Sequence, residues 1–212
     1  MTESVLIEPH YLPSLEFFCA IHSYENIVLE RCEYFVKQTY RNRCYINTAH
    51  GVKVLTVPLV DRHGKIVVKD IRIEAGKQWR NNHWRAIESA YRKAPYFEFY
   101  SEELKEILYQ PHEFLFDLNH NLLSFCLRHV GLQKNISASV TYEPMPGKNI
   151  LDLRSLITDK KLFTLREFYR PRPYYQVFGN EFAPNLSLVD LLFCEGPGTV
   201  GILRASVGLA NK

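Results

Sequence analysis

The 212-residue sequence has no uninterrupted apolar run approaching the ~20 residues that a bilayer-spanning helix needs. Its opening residues carry neither a basic segment nor a continuous hydrophobic stretch of the secretory kind, so the expectation is a cytoplasmic protein without membrane insertion. Cysteine is sparse. The five, Cys19, Cys32, Cys44, Cys126 and Cys194, are odd in number, far apart and never spaced CxxC. That excludes the common zinc-finger spacings, argues against a disulfide framework and fits reduced thiols. Charge of one sign is never concentrated: 26 Lys and Arg face 23 Asp and Glu, leaving +3, and no polybasic tail or stripe points to nucleic acid. Solenoid-type repeats and low-complexity tracts are also missing.

What is present is the composition of an ordinary globular chain, 46% hydrophobic and 23% charged. The expected organisation is one domain over residues 1–212, with a sheet-rich half (1–76), a helical section (77–131) and an irregular C-terminal part with a closing helix (132–212). The stretch SVLIEPHYLPSLEFFCAIH sets the architecture. Val5, Leu6 and Ile7 suit a central strand, Pro9 ends it, and Ser14 can cap a helix carrying Glu16 in its first turn. A second apolar strand, NIVLE from Asn26, completes a parallel strand–helix–strand unit. The loop Glu8–Pro13 then lies at the carboxyl end of a strand, where open α/β sheets bind ligands and spare N–H groups favour anions.

A hairpin is expected from Cys44–Thr48 and Lys53–Val60, turned at Ala49–Gly51, followed by a turn at Asp61–Lys65 and a half-buried strand over Ile66–Ile73. Helices follow over Lys77–Arg92, after Ser101 as cap, and over Glu113–Val130 with Gly131 as stop. Ile136–Tyr142 reads as a strand, Asn149 or Asp152 as the start of a short helix to Ile157, and Asn185 as the cap of LSLVDLLFCEG. The fold class is thus α/β: a mixed sheet with an N-terminal parallel unit, a hairpin extension and a helical middle section.

Several residues carry chemistry. Glu8 and His10 offer a carboxylate and an imidazole on one turn, as proton transfer requires. Arg41 and Arg43 flank Asn42; alternation on an extended chain puts both guanidinium groups on one face, suited to phosphate, while pairing with Glu30 and Glu33 is the competing reading. His83 lies on a helical stripe with Trp79, Ile87 and Tyr91. Asp190, set among Val189 and Leu191, needs a basic or N–H partner if buried. Asp117 and His120 stand one helical turn apart, but no partner cluster completes a metal set, so no metal is expected. No cofactor is indicated.

The order of motifs resembles the WbqC-like proteins of bacteria. The family's QPxYLPWxGYF opening stands here as Glu8, Pro9, His10, Tyr11, Leu12, Pro13, Ser14, Leu15, Glu16, Phe17, Phe18. The resemblance continues at Tyr40–Arg43, Ile46, Gly51, Leu55–Pro58, Trp79 and His83, then at Tyr175, Gln176 and Phe182–Phe193, similar to an F-x-P-x-LSIxDLLF ending. Glu8 replaces the usual Gln, Leu15 and Glu16 alter the bulky-Gly pair, and a segment of longer members is absent or shortened around Glu143–Arg166. The resemblance implies bacterial surface-polysaccharide (O-antigen-type) synthesis and a phosphate-bearing substrate such as a nucleotide-sugar. Two roles follow. One is a transferase or ligase-like enzyme, with Glu8, His10, His83 and Asp190 catalytic and Tyr11, Arg41, Asn42, Arg43, Tyr175 and Gln176 binding substrate. The other is a non-catalytic accessory protein of the same pathway.

Overall fold

The apolar run after Ser4 becomes β1 (Ser4–Ile7) in the computed structural model, which describes residues 4–60, 64–179 and 181–208. It pairs in parallel with β2 (Asn26–Leu29), and α1 (Leu15–Ile21) connects the two. Ser14 caps α1 by accepting the Phe17 N–H, as its position in the sequence requires. The expected hairpin forms from β3 (Arg43–Thr48) and β4 (Gly51–Thr56), a two-stranded antiparallel sheet apart from the first. Asp61, Arg62 and His63 of the expected turn lie outside the described residues.

Three helices make the middle section: α2 (Gln78–Tyr91), α3 (Phe97–Tyr109) and α4 (Leu115–Val130). The stripe Trp79, His83, Ile87, Tyr91 is buried, and Trp84, off that line, is buried as well, stacked on Phe97. That contact explains a correction. Ser101 sits inside α3 rather than capping it, because burial of Phe97 against Trp84 and Phe193 extends the helix a turn earlier. Gly131 ends α4 with φ 73°, its N–H and that of Leu132 returning to the last-turn carbonyls.

The chain returns to the first sheet with β5 (Asn135–Ala138) beside β2 and β6 (Ile150–Asp152) beside β1, giving the order β5-β2-β1-β6, all parallel. Here β6 replaces the short helix expected from Asn149 or Asp152. The free edge of β1 has backbone groups to satisfy, and three residues of ladder do so. The expected strand over Ile66–Ile73 is likewise a 3₁₀ turn at Val68–Asp70 among isolated bridges. Ile71 and Ile73 are buried as alternation requires, but Val68, three residues before Ile71, is buried out of phase with them, and the segment's backbone bonds are scattered, from Val68 to Glu33, Lys69 to Arg31 and Ile73 to Glu113, so no ladder forms.

Two closing helices follow, α5 (Leu188–Glu195) and α6 (Thr199–Ser206). Ser187 is the N-cap position of α5; Asn185 lies two residues before it and serves α1 instead, accepting the Glu16 N–H at 2.9 Å. Val5, Ile7, Ile27 and Leu29 face the main core, while Leu6, Val28 and Ile150 on the other face line a cavity of about 270 Å³ roofed by residues 139–146. No disulfide joins the five cysteines. Among the described residues no helix is long and apolar enough to cross a membrane.

Between α5 and α6, Gly196 adopts φ 50°, and a Cβ there would lie 2.4 Å from the Tyr96 ring. Gly196→Ala is expected to cost about 1–3 kcal/mol through this overlap and the left-handed backbone. A lowered urea midpoint with unchanged slope is the expected result; a midpoint equal to wild type would contradict the packing described.

Candidate functional site

The strand order changes direction at β1. Sequence proceeds outward from β1 to β2 and β5, then returns to place β6 on the other side, so the crevice between the carboxyl ends of β1 and β6 is the topological switch point. Polar side chains collect there. Glu8 leaves β1, and its Oε2 accepts the Ser155 N–H, just after β6, at 2.8 Å. Its Oε1 faces Arg41 Nη1 at 3.4 Å and His10 Nε2 at 3.5 Å, an electrostatic contact too long for a strong hydrogen bond. Arg41 also donates through Nε and Nη2 to Glu33 and through Nη2 to the Ser155 hydroxyl. Beside this, Glu30 accepts from Ser139 and Arg154, and Arg154 forks onto Asp152.

Burial is the largest influence on Glu8 and Glu33 and pushes their pKa values up. At Glu8 the contacts with His10, Arg41 and the Ser155 N–H outweigh it, so the group sits below the ordinary range. At Glu33 burial prevails over Arg41, and Glu8 and Glu30 add to the rise. Glu8 and His10 are 1% exposed and Arg41 2%. Neither ring nitrogen of His10 has a hydrogen-bond partner among the described residues, and the ring is held between Phe17 and Tyr40.

The backbone N–H groups expected to await an anion at α1 are taken. Leu15 donates to Leu186, Glu16 to Asn185, and Phe17 and Phe18 to Ser14. The Glu16 carboxylate already sits there, gripped by the Arg166 fork at 2.5 and 2.7 Å.

The other candidate residues fall into separate groups. Tyr11 donates to His83 Nδ1 at 2.8 Å, which leaves Nε2–H to donate to the Thr56 carbonyl. Burial lowers the His83 pKa to about 4, so the imidazole is neutral at physiological pH with both nitrogens engaged. Asp190 is buried among neutral donors, Tyr91, Tyr174 and Gln176, each at 3.3 Å, rather than beside a cation. Burial, only partly offset by those three donors, raises its pKa to about 7. Gln176 also clamps Ala183 by both its amide atoms, while Tyr175 is exposed. Asn42 donates to the Val57 carbonyl. Arg43 does not join Arg41: it shares a face of β3 with Tyr45, and its Nε has no partner among the described residues.

A cleft of about 350 Å³ opens on the far side of Tyr40, whose ring stacks on His10 at 5.3 Å. Tyr40, Tyr45, Asp159, Lys160, Lys161 and Arg166 line it, with Asn185 at one side. Tyr45 donates to Asp159 Oδ2 at 2.7 Å, and Oδ1 has no partner among the described residues. Burial and Asp159 together raise the Tyr45 hydroxyl to about 12, keeping it a donor. Arg166 is spoken for by Glu16, but Lys160 and Lys161 are exposed and carry no ion pair among the described residues. Glu30 and Glu33 were named as the competing partners of Arg41 and Arg43, and Glu33 does pair with Arg41; Arg154, Ser155, Asp159, Lys160, Lys161 and Arg166 were not among the residues that the sequence singled out. The Lys160–Lys161 pair was the one visible signal, a doublet of cations without a neighbouring acid on its C-terminal side.

Fold and site together define an α/β protein with an ionic network at the carboxyl ends of a four-stranded parallel sheet and a cationic cleft beside it. A sequence profile described as the WbqC-like protein family matches residues 8–164, and the chain belongs to that family. The matched span holds Glu8, Glu30, Glu33, Arg41, Arg154, Ser155, Lys160 and Lys161. Membership associates the chain with polysaccharide-related processes and names no substrate. The chain is also similar, at 28% identity over 232 residues, to "Uncharacterized protein Rv1507c" of Mycobacterium tuberculosis (strain ATCC 25618 / H37Rv), covering 96% of this chain and 98% of that one. No solved structure matches.

Removing Arg41 leaves the buried Glu8 and the partly buried Glu33 without their cation. Arg41→Ala is expected to destabilise the fold by about 3–5 kcal/mol, a fall in Tm of more than ~6 °C. Weakened ligand binding at unchanged Tm would instead make Arg41 a ligand contact.

The Asp190 shift has a defined sign. Its carboxyl pKa is 3.8 ordinarily and about 7 in the fold, so the folded state holds the proton more tightly. Stability from this group is full below pH ~4 and declines as pH rises toward 7, by at most ~1.4 kcal/mol per unit. Asp190→Asn is expected to remove that decline, gaining on wild type between pH 5 and 8 in thermal melts. A difference independent of pH would rule the assignment out.

Proposed function

We propose that this chain binds a phosphate-bearing small molecule, such as a nucleotide-sugar, in the cleft over Tyr40, as a cytoplasmic binding protein of bacterial surface-polysaccharide synthesis. The observation that carries this reading is the pair Lys160 and Lys161, two ammonium groups without an ion-pair partner among the described residues, at a cleft walled by aromatic rings. Lysines meet phosphate as point charges. Tyrosine rings offer apolar faces to a base or sugar.

The binding role is favoured over catalysis by one fact. Glu8, His10, His83 and Asp190, the groups suited to proton transfer, are all buried, and none of them lines this cleft. The transferase or ligase-like reading is favoured instead by Asp159, a carboxylate that lines the cleft and is oriented by Tyr45. In that case the base is Asp159, and Glu8 and His10 support the floor of the cleft through Tyr40.

The test is thermal shift of the purified protein with inorganic phosphate and a panel of nucleoside diphosphate sugars. A ligand at a hundred times its Kd stabilises by ~2.7 kcal/mol, a rise of several degrees for a chain of this size. Lys160→Ala/Lys161→Ala is expected to abolish the shift without lowering the unliganded Tm. No shift from any anionic ligand with wild type would remove the phosphate reading. Turnover of a bound ligand that Asp159→Asn abolishes would decide for the enzyme.

A further inference from the structure

Trp79 and His83, one helical turn apart, have no part in the cleft over Tyr40. They line a second cavity, of about 410 Å³, between the end of β4 and the start of α2. That volume lies within the ~300–1,000 Å³ of small-ligand sites. Its frame is fixed by hydrogen bonds. His83 Nε2–H donates to the Thr56 carbonyl at 3.2 Å, tying α2 to β4, and the Tyr11 hydroxyl holds the other ring nitrogen. The Glu74 N–H donates to the Pro58 carbonyl at 2.9 Å. The Trp79 indole packs edge-on to the His83 ring, with centres 5.2 Å apart, and the Arg80 guanidinium lies over it at 4.8 Å while donating to the Gly76 carbonyl at 2.9 Å.

The lining is polar without being cationic. Gln78 and Asn82 are exposed at the cavity, and Gln78 Nε2 donates to Asn82 Oδ1 at 2.9 Å, which sets both amides. Among the described residues neither the Gln78 carbonyl oxygen nor the Asn82 amino group has another partner, so the pair presents one acceptor and one donor. The Glu74 carboxylate, also exposed, is a further acceptor without a partner among the described residues. No Lys or Arg lines the cavity, and His83 is neutral with both nitrogens engaged. The one charge on the lining is therefore Glu74, of the sign that repels phosphate. Pro58 and the indole supply apolar wall.

This combination selects among ligands. An anion would meet Glu74, and a wholly apolar molecule would strip water from the amides and the carboxylate without replacing its hydrogen bonds. A sugar ring has C–H faces for an aromatic wall and hydroxyl groups that donate and accept at once. We propose that this cavity binds a neutral sugar residue, its hydroxyls bonded by Gln78, Asn82 and Glu74 and its C–H face against Trp79 and Pro58. The site is distinct from the cleft but shares a strand with it. Val52 lines the cleft and Thr56 the cavity, four residues apart on β4, so their side chains project to one face about 13 Å apart. The proposal stands whatever the cleft holds.

The test reads the emission of Trp79 in the full chain. The sequence has two tryptophans, and Trp84 stacks on Phe97 outside the cavity, so Trp84→Phe leaves Trp79 as the one indole. Titration of that variant with the methyl glycosides of glucose, galactose and N-acetylglucosamine is expected to give a saturable change with at least one of them. Saturation-transfer NMR on the wild type with the same glycosides supplies a readout that needs no substitution. Gln78→Ala/Asn82→Ala is expected to weaken binding about tenfold at unchanged Tm, and Lys160→Ala/Lys161→Ala to leave it unaltered. Three results would overturn the proposal: no binding of any of the three glycosides by either readout; binding indifferent to the amide pair; or displacement of the glycoside by inorganic phosphate in the Lys160→Ala/Lys161→Ala background, which would make the cavity an anion site.

Discussion

Arg41, itself buried, lies between the buried Glu8 and the partly buried Glu33. Two carboxylates buried without a cation would be prohibitively costly, so the position of this guanidinium constrains everything attached to it. Glu8 is fixed at the end of β1, Ser155 at the end of β6, and both meet the same group. The segment before β3 must therefore cross the switch point, and it is also tied by Tyr11 donating to the Tyr40 carbonyl and by Asn119 donating to the Arg41 carbonyl. Tyr40 is carried into place by the same path. The wall of the cleft is thus a consequence of charge burial one residue away.

Adjacent residues of the first loop serve opposite sides of it. His10 turns its ring onto Tyr40, a wall of the cleft, whereas Tyr11 sends its hydroxyl to His83 on α2. Asp190 lies in a third place, held by α2 and the 174–176 segment. The polar residues that draw the eye in the sequence therefore hold three junctions of the fold, and the open cationic cleft is a fourth location.

What the sequence made legible follows from how local each signal is. The run Val5–Ile7, the Ser14 cap, the glycine stop at Gly131 and the Ala49–Gly51 turn each act within a few residues, and the structure has the elements they announce. Ile150–Asp152 and Ile66–Ile73 were misjudged because strand identity depends on a partner: β1 supplied one for the former, and nothing continuous did for the latter. The meeting of Glu8 and Arg41 could be suspected from strand ends and charge. Arg154 and Ser155 could not, since more than a hundred residues separate them from Glu30 and Glu8. Arg43 went to the other side from Arg41 because the extended geometry begins only at β3, so alternation did not apply to the pair.

The completion of α1 by distant residues bears on the order in which the protein is made. Its Leu15 and Glu16 N–H groups are bonded by Leu186 and Asn185, its Glu16 carboxylate by Arg166, and its Cys19 thiol faces the Leu203 carbonyl. A ribosome that has added Glu16 must still synthesise 169 residues to reach Asn185. Until then a buried-type acid and the most apolar helix of the first sheet stand open, and contacts of such separation form slowly. The N-terminal motif is in this sense finished by translation of the C-terminal one.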